Sequence, residues 1–388
     1  MDRVYLDHNA TTPLDPRVLE AMLPHLRESF GNPSSLHWFG QRARAAVDDA
    51  RTEVAALLGA APAEIVFTGS GTEADNLALR GAADRTEEPR TGLVVTAVEH
   101  HAVLNTARAL AAEGREVSVV GVDGEGRLDL ADLSAKVTGR TALVSVMLAN
   151  NETGVIAPVA EAARIAHDRG ALLHCDAVQA VGKVPVDVGA LDVDLLALSA
   201  HKIYGPKGVG ALYVRRGTVL EALVRGGSQE RNRRAGTENV AGIAGLGAAA
   251  RIAREGLAAE AERVAALRDR LESALLGIPG AARNGAGPRV PNTTSVSFAD
   301  TEAEGLLIAL DLAGIAVSTG AACAAGAAEP SHVLRAMGLP PERVQASLRF
   351  SLGRGTTPAD VARTAEAVRT AVERQRAAAA SRLPPAAR

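Results

Sequence analysis

Three groups of residues have the side chains and the spacing that one kind of chemistry requires. Phe67-Thr-Gly-Ser-Gly-Thr72 leads from a β-rich run into a helical pattern, and the free N–H groups at such a helix start suit a phosphate. Asp176 and Lys202 each follow an apolar run. A phosphate anchor, an acid for a pyridinium nitrogen and a Schiff-base amine are the three parts of a pyridoxal phosphate site.

Each of these residues also has a plainer interpretation. A Gly-Ser-Gly segment forms ordinary tight turns, and lysine is usually a solvated surface residue. The segment matches neither a Walker loop nor the GxGxxG fingerprint, so nucleotide binding is the weaker interpretation. Position favours the functional interpretation, because open α/β sheets bind their ligands at the carboxyl ends of strands.

The pattern of elements predicts an α/β fold with a mainly parallel, seven-stranded sheet, because seven short runs that are apolar on both faces alternate with helical patterns. These runs cover residues 64–68, 93–96, 116–120, 142–147, 171–174, 194–199 and 210–214. One of the helices is expected from Gln41 to Leu58, with Gly59 as its stop. An Ala-rich helical region over 240–276 precedes further strands at 294–298, 315–317 and 347–350.

We therefore predict two domains. A large cofactor-binding domain covers residues 13–255, and a smaller α+β domain combines residues 1–12 with 256–376. The smaller domain would carry Cys323 in a mobile loop. Residues 377–388, which are Ala, Arg, Pro and Ser with one Leu, are expected to form a disordered tail.

Composition limits the classes of function. The chain has 388 residues, a net charge of −3 and only 2% aromatic residues, which argues against nucleic-acid binding. Neither a secretory signal nor a membrane span is predicted. Two cysteines, Cys175 and Cys323, are too few for a disulfide framework or a cysteine zinc site, so we expect no metal and a cytoplasmic location. Cys175 lies inside an apolar run and is expected to fill the core.

Several longer motifs resemble those of one family. The chain is similar to cysteine desulfurases of the nitrogen-fixation and iron-sulfur-cluster type, in the class V aminotransferase superfamily, from Tyr5 to about Arg354. The matching motifs are Tyr5-Leu-Asp-His-Asn-Ala-Thr-Thr-Pro13, Gly31-Asn-Pro-Ser-Ser35, Glu99-His100, Ala149-Asn-Asn151-Glu-Thr-Gly154, Ser199-Ala-His-Lys-Ile-Tyr-Gly-Pro-Lys-Gly208, Arg233-Arg-Ala-Gly-Thr237-Glu-Asn and Ser347-Leu-Arg349-Phe-Ser-Leu-Gly353. The resemblance implies the fold type I architecture of pyridoxal-phosphate-dependent transferases.

The resemblance also implies roles around the cofactor ring. Lys202 would form the Schiff base, and Asp176 would pair with the ring nitrogen. His100 would lie against the ring face and take part in catalysis, Gln179 would contact the ring hydroxyl, and Asn151 would contact the ring edge or the substrate. The residues alone leave two alternatives open, in which His100 is a surface histidine and Asn151 a turn residue.

Further roles are implied for the cofactor phosphate and the substrate. Gly71, Thr72, Ser199 and His201 would hold the phosphate from one subunit. Thr237 would hold it from the neighbouring subunit, so a homodimer is implied. Thr237 could instead be a helix cap. Arg349 would clamp the carboxylate of L-cysteine, which is a bidentate task that suits arginine.

Cys323 stands in a stretch nearly bare of large side chains, from Ser318 to Pro330. The resemblance implies that its thiol takes sulfur from the substrate as a persulfide and then delivers it to an acceptor protein. Small residues would leave the loop free to move between these places. Relatives often carry Ser or Thr where Ala321, Ala324 and Ala325 stand, so hydrogen bonding to the thiolate is expected to be weaker here.

Other functions remain as alternatives to sulfur transfer from cysteine. One is a selenocysteine lyase or a small-amino-acid aminotransferase of the same fold, although an aminotransferase has no use for an acceptor thiol. Another is a non-catalytic scaffold that binds sulfur carriers. The sequence leaves the destination of the sulfur open among iron-sulfur cluster assembly, tRNA, a cofactor, a natural product and DNA modification.

Overall fold

The computed structural model describes residues 3–85, 90–320 and 330–382. The strands are β1 (Val4–Tyr5), β2 (Ile65–Thr68), β3 (Gly92–Thr96), β4 (Val117–Val120), β5 (Thr141–Ser145), β6 (Leu172–Asp176), β7 (Leu195–Ser199), β8 (Gly210–Val214), β9 (Ala281–Arg283), β10 (Thr293–Phe298), β11 (Ile315–Ala316) and β12 (Ser347–Ser351). The α-helices are α1 (Pro16–Arg27), α2 (Trp38–Leu58), α3 (Gly71–Arg85), α4 (His101–Ala112), α5 (Leu130–Lys136), α6 (Val159–His167), α7 (Val188–Leu191), α8 (Val240–Leu276), α9 (Ala303–Leu312), α10 (His332–Ala336), α11 (Pro341–Gln345) and α12 (Pro358–Arg382).

The central sheet has seven strands in the order β2-β8-β7-β6-β5-β3-β4. Within the described ranges, β8 runs antiparallel to both of its neighbours and the other pairs are parallel. All residues of β2, β3, β5, β7 and β8 are buried, which explains why these strands are apolar on both faces. The prediction of a mainly parallel, seven-stranded sheet is confirmed.

Helices cover both faces of this sheet. Val94 packs into a hydrophobic cluster with residues of α2, α6 and α8. Its neighbours Leu93 and Val95 point to the opposite face, where they join a cluster with α3 and α4. This alternation follows from the period of two along a strand. The two helical layers leave the carboxyl ends of the parallel strands as the open edge of the sheet.

A second hydrophobic core lies around two smaller sheets, an antiparallel sheet in the order β12-β10-β9 and the parallel pair β1-β11. Val4 and Leu6 belong to it, together with residues of α9 and α12. Helix α8 contributes to both cores, with Ile252 as its last residue in the first and Val264 as its first in the second. The boundary at residue 255 lies between these groups, and the division into two domains stays a prediction.

Three helix ends show what local sequence does and does not specify. Helix α2 ends at Leu58, and the Gly59 that follows has a left-handed φ of 68°, as a glycine stop requires. The helix begins at Trp38, three residues before the predicted Gln41, because His37 accepts a hydrogen bond from the Gly40 N–H. Thr357 and Asp360 cap α12 reciprocally. The tail was predicted to be disordered from residue 377, but residues 377–382 continue α12, as the high helix propensity of alanine favours. Residues 383–388 lie outside the described residues.

Candidate active site

The predicted site residues converge at the carboxyl ends of the parallel strands. Gly71 and Thr72 begin the helix after β2, and His100 follows β3. Asn151 lies after β5, Asp176 ends β6, and Ser199 ends β7. A 3-10 turn of residues 200–202 then places His201 and Lys202 directly after β7. The strand ends therefore bring together residues that are up to about 130 positions apart in the sequence.

Lys202 points its amine at the N-terminal segment of the chain. Its Nζ donates to the backbone oxygens of Asn9, at 2.5 Å, and Ala10, at 2.7 Å. Burial is the main cause that lowers the pKa of Lys202 to about 8, and the charge of Arg349 adds to it. The carboxylates of Asp176 and Asp7 act in the opposite direction. A larger fraction of this amine is therefore uncharged and nucleophilic near neutral pH than for an ordinary lysine.

Asp176 is only 3% exposed, and few protein groups stabilise the negative charge of its carboxylate. Its Oδ1 accepts a hydrogen bond from the Val178 N–H at 3.0 Å. Burial raises the pKa of Asp176 to about 6, against the opposing effects of that hydrogen bond and of Lys202. Two further buried acids, Asp75 and Glu99, also have raised pKa values, through burial and then through the charge of Asp176. A cation placed against Asp176 would therefore find a carboxylate in need of a partner.

His100 and His201 are both held as neutral rings. His100 caps α4, and its Nδ1 accepts a hydrogen bond from the Ala102 N–H at 3.1 Å, which leaves the ring proton on Nε2. His100 retains some exposed surface, but partial burial and then the charge of Lys202 lower its pKa to about 4. Burial and then Lys202 lower the pKa of His201 to about 4, and its Nδ1 lies 3.1 Å from Thr11 Oγ1.

Gln179 belongs to a polar network that the sequence analysis missed in part. Its Nε2 donates to the Asn9 backbone oxygen at 2.8 Å, and its Oε1 accepts from Lys183 Nζ at 2.5 Å. Lys183 also donates to Asn9 Oδ1 at 3.1 Å. Two features of the sequence could have indicated Lys183. The chain contains only four lysines, and Lys183 follows the predicted site residue Gln179 by four residues.

Arg349, on β12, projects from the second core into the same site and is 5% exposed. Its Nη2 bonds Asp7 Oδ1 at 2.7 Å and its Nη1 donates to the Asn151 backbone oxygen at 2.9 Å. Its buried Nε has no hydrogen-bond partner among the described residues. The guanidinium is therefore held in place with a donor to spare for an incoming carboxylate. Asp7 was missed as a site residue, although it lies in one of the matching motifs.

The start of α3 and the end of β7 form a cradle for an anion. Ser199 Oγ is buried without a hydrogen-bond partner among the described residues, and the first N–H groups of a helix have no partner within it. A Cβ at Gly71 would lie 2.8 Å from Val178 Cγ2 and 3.3 Å from Ser199 Cβ, so a side chain there would crowd the cradle. The Ser70 hydroxyl caps the helix through the Glu73 N–H. This arrangement fits a phosphate monoester.

The remaining predicted residues have different outcomes. Thr237 is exposed and lines a cleft with Gly69 and Gly208. It is not the cap of the following helix, because Asn239 caps α8 through the Gly242 N–H. Cys175 is fully buried in the first core, and burial raises its thiol pKa well above the usual value, so its role as core filler is confirmed. Cys323 lies outside the described residues.

Among residues 3–85, 90–320 and 330–382, no group of three or more His, Cys, Asp or Glu side chains is arranged to hold a metal ion. In the same ranges, none of the helices combines the length and the apolar character that crossing a bilayer demands.

Comparisons with known proteins agree with this fold. Residues 4–364 match the family described as aminotransferase class-V. A protein from Trichormus azollae called cysteine desulfurase is 50% identical over 379 residues, which are 97% of this chain and 94% of that protein. A solved NifS-like protein superposes with a TM-score of 0.89, at 40% identity, over 96% of this chain and 98% of its own. The structure of SspA in complex with cysteine gives a TM-score of 0.81, at 34% identity, over 90% and 99%.

The fold and the lysine at the strand ends define a pyridoxal-phosphate-dependent enzyme of the transferase type. The chain belongs to the class-V aminotransferase family, within the branch formed by the cysteine desulfurases. Desulfurases of this family use pyridoxal phosphate, and the residues of this chain fit that group. The Ser199 hydroxyl, which has no partner in the described part of the chain, suits its phosphate, and the buried Asp176, whose raised pKa reflects weak compensation of its charge, suits its ring nitrogen.

Proposed function

We propose that this chain converts L-cysteine to L-alanine as a cysteine desulfurase, with Lys202 holding pyridoxal phosphate and Cys323 accepting the sulfur. The observation that carries the proposal is the Lys202 amine, which lies three residues after Ser199 at the end of β7, interacts with the charge of the buried Asp176 and has a lowered pKa. Relatives called cysteine desulfurase, 50% identical over 97% of the chain, support the choice of substrate. None of the relatives named above supports the aminotransferase or scaffold alternative.

The chain's residues divide the work of holding the cofactor. Gly71, Thr72, Ser199 and His201 hold the phosphate. Asp176 would keep the ring nitrogen protonated, and the bound cofactor would supply an electron sink for the substrate α-carbon. His100 would lie as a neutral ring against the cofactor, and Gln179 would donate to its ring hydroxyl. The neutral state of His100 matters, because a cation there would repel the protonated ring nitrogen.

The substrate is oriented by charge and changed by two nucleophiles. Arg349 would bind the α-carboxylate, and Asn151 would contact the ring edge or the substrate. The Lys202 amine would take the proton from the substrate α-carbon. The Cys323 thiolate then attacks the substrate sulfur. A sulfur–sulfur bond forms as the carbon–sulfur bond breaks, and the electron pair of the broken bond stays on the substrate β-carbon, which takes up a proton. The enzyme then keeps a persulfide and releases alanine. The persulfide is a reversible form of cysteine that an acceptor protein can receive.

An exposed aromatic surface supports a homodimer. Phe30, Leu36, Trp38 and Phe39 are all exposed, and the rings of Phe30 and Phe39 stack with centroids 5.2 Å apart. In a chain with 2% aromatic residues, such a cluster favours a protein interface over chance exposure. A second copy of this chain is the occupant that we propose, with Thr237 reaching the phosphate of the neighbouring site.

We place the dimer in the cytoplasm, because a catalytic thiol and two cysteines in all suit a reducing compartment. An acceptor protein is the proposed next carrier of the sulfur, and iron-sulfur cluster assembly is one pathway that would use it. Supplying purified enzyme with radiolabelled cysteine in an extract of its own cell, and identifying the labelled protein, would name the acceptor.

Substitution of the two nucleophiles tests this assignment. Protein with cofactor should absorb near roughly 400 nm, and Lys202→Ala should lose this band. Cys323→Ala should keep the band but release alanine from cysteine about 100-fold more slowly, because it removes the nucleophile.

Cys175→Ala is the matched control, since it removes the chain's other thiol from the core and should leave turnover within a few-fold of the original. Alanine release by Cys323→Ala at the unsubstituted rate would show that this thiol does not attack the substrate. Persistence of the band in Lys202→Ala would show that another amine binds the cofactor.

A further inference from the structure

Lys183 lies in a segment that packs closely against the segment that carries Lys202. It follows β6 in a turn where Gly182 has a φ of 73°, a conformation that favours glycine. A Cβ at Gly182 would lie 2.7 Å from Ile203 Cγ2, and Ile203 directly follows Lys202. A side chain at position 182 is therefore excluded, and the segments carrying the two lysines lie in contact. Lys183 and Lys202 also border the same small cavity, of about 40 Å³.

The amine of Lys183 is costly in this position. Burial and then the charges of Lys202 and Arg349 lower its pKa well below the usual value. Its hydrogen-bond acceptors are the side-chain amide oxygens of Gln179 and Asn9 rather than carboxylates. A side chain that only held two amides in place would not need a chargeable amine, whose burial is costly. The amine of Lys183 therefore indicates a role in the site itself.

The hydrogen bonds of Lys183 determine which way the Gln179 amide faces. An amide side chain offers one oxygen and one NH₂ group on opposite sides. Lys183 occupies the Gln179 oxygen at 2.5 Å, so the NH₂ group must point the other way. It meets the Asn9 backbone oxygen at 2.8 Å, and that oxygen also accepts from Lys202 Nζ at 2.5 Å. The Gln179 donor is thereby placed beside the amine that would carry the cofactor.

We propose that Lys183 is a positioning residue that fixes the amide of Gln179 as a hydrogen-bond donor to the ring hydroxyl oxygen of the cofactor. The inference rests on the proposed function, in which Lys202 binds that cofactor. Without Lys183 only the hydrogen bond to the Asn9 backbone oxygen holds the amide, so a half-turn rotation that presents its oxygen, which repels an ionised ring oxygen, becomes easier. Asn9 strengthens the arrangement, because its side-chain oxygen binds Lys183 and its backbone oxygen binds Gln179.

This donor should change the pH at which the Lys202 nitrogen, when it is linked to the cofactor, loses its proton. A donor that stabilises the ionised ring oxygen reduces the affinity of the adjacent nitrogen for its proton, so losing the donor should raise the pH at which the proton leaves. Besides Lys183, the charged or titratable groups around this nitrogen in the described part of the chain are Arg349, Asp176, Asp7, His100 and His201. They stay the same in every variant below.

The experiment follows the absorbance near roughly 400 nm of cofactor-loaded protein across pH. Lys183→Met should raise the midpoint by about one pH unit, the size expected when a charged group loses one hydrogen bond. Gln179→Leu should raise it similarly. The double variant should shift no further than either single one, because both changes remove the same donor. Lys136→Met is the control, since its amine bonds Asp132 and Val119 away from the site, and it should leave the midpoint unchanged.

Two results would overturn the inference. One is an unshifted midpoint in Lys183→Met. The other is a pair of shifts that add in the double variant, which would mean that Lys183 acts through its charge alone. If Lys183→Met does not fold, Lys183→Gln decides, because it keeps an N–H donor without the charge. It should then stay within about half a pH unit of the original protein, and a full shift would overturn the inference. Absence of the band from unsubstituted protein would refute the proposed function, and this inference with it.

Discussion

At the scale of single residues, opposing charges tune the Lys202 amine. Burial and Arg349 lower its pKa to about 8, while Asp176 and Asp7 hold it up. At neutral pH about one tenth of such an amine is uncharged, against less than one thousandth at the ordinary value of about 10.4. The site therefore presents a nucleophile without losing the charge that attracts a phosphate-bearing ligand.

The first residue-scale prediction concerns Arg349. In apoprotein, the rate at which Lys202 binds added pyridoxal phosphate should rise with pH through a midpoint of about 8. Arg349→Met should move this midpoint upward, because it removes a cation and releases Asp7 from its ion pair. Stopped-flow absorbance at a series of pH values measures both midpoints. Arg140→Met, which removes an exposed arginine paired with Glu116, is the control, and an unchanged midpoint in Arg349→Met would contradict the assigned cause.

At the scale of elements, a buried ion pair ties α2 to the loop before α8. The Arg51 guanidinium bonds both oxygens of Glu230, at 2.6 and 2.9 Å, and the Ile65 backbone oxygen. Glu230 also accepts from the Phe67 N–H. The loop residues 230–232 all have left-handed φ values between 44° and 64°, so contacts with side chains such as Glu230 must hold a conformation that non-glycine residues disfavour.

Glu230→Ala should therefore destabilise the protein by about 3–5 kcal/mol, since it leaves Arg51 buried and unpaired. Arg51→Met combined with Glu230→Leu should cost less than Glu230→Ala alone, because neither charge then remains buried. Urea denaturation of cofactor-free protein measures both. A double variant less stable than Glu230→Ala would mean that the geometry of the pair, rather than its unpaired charge, decides the stability of the loop.

Sequence patterns predicted the elements far better than the side-chain network. Runs such as Leu195–Ser199 are buried on both faces, so their composition alone marks them as central strands. Lys183 and Asp7 act through partners far away in sequence, such as Asn9 and Arg349, and no local pattern shows such contacts. Lys202 was predictable because its chemistry and its position after a strand coincide.

At the scale of the whole molecule, the proposed homodimer makes each site depend on both chains. Thr237 is exposed and lines a cleft with Gly69 in its own chain. If it reaches the phosphate of the neighbouring site, one chain can supply what the other lacks. This dependence separates a catalytic dimer from two independent subunits that merely associate.

Mixing variants tests this dependence. Lys202→Ala and Thr237→Asp should each be nearly inactive at limiting cofactor, the second because a carboxylate repels the phosphate. After unfolding and refolding together in equal amounts, about one quarter of the sites should be intact by random pairing, and alanine release should recover to that level. Lys202→Ala mixed with Asp176→Ala is the control without recovery, because both defects lie within one chain's site. No recovery in the first mixture would place Thr237 outside the neighbouring site.

Helix α8 has a consequence for how this gene can be divided. Its 37 residues form a rod about 55 Å long, whose two ends are buried in different cores. A cut near codon 255 would divide this helix and leave each fragment with an exposed apolar helix end. Neither fragment should fold when produced alone, so shuffling among homologous genes ought to keep this helix intact and exchange material on either side of it.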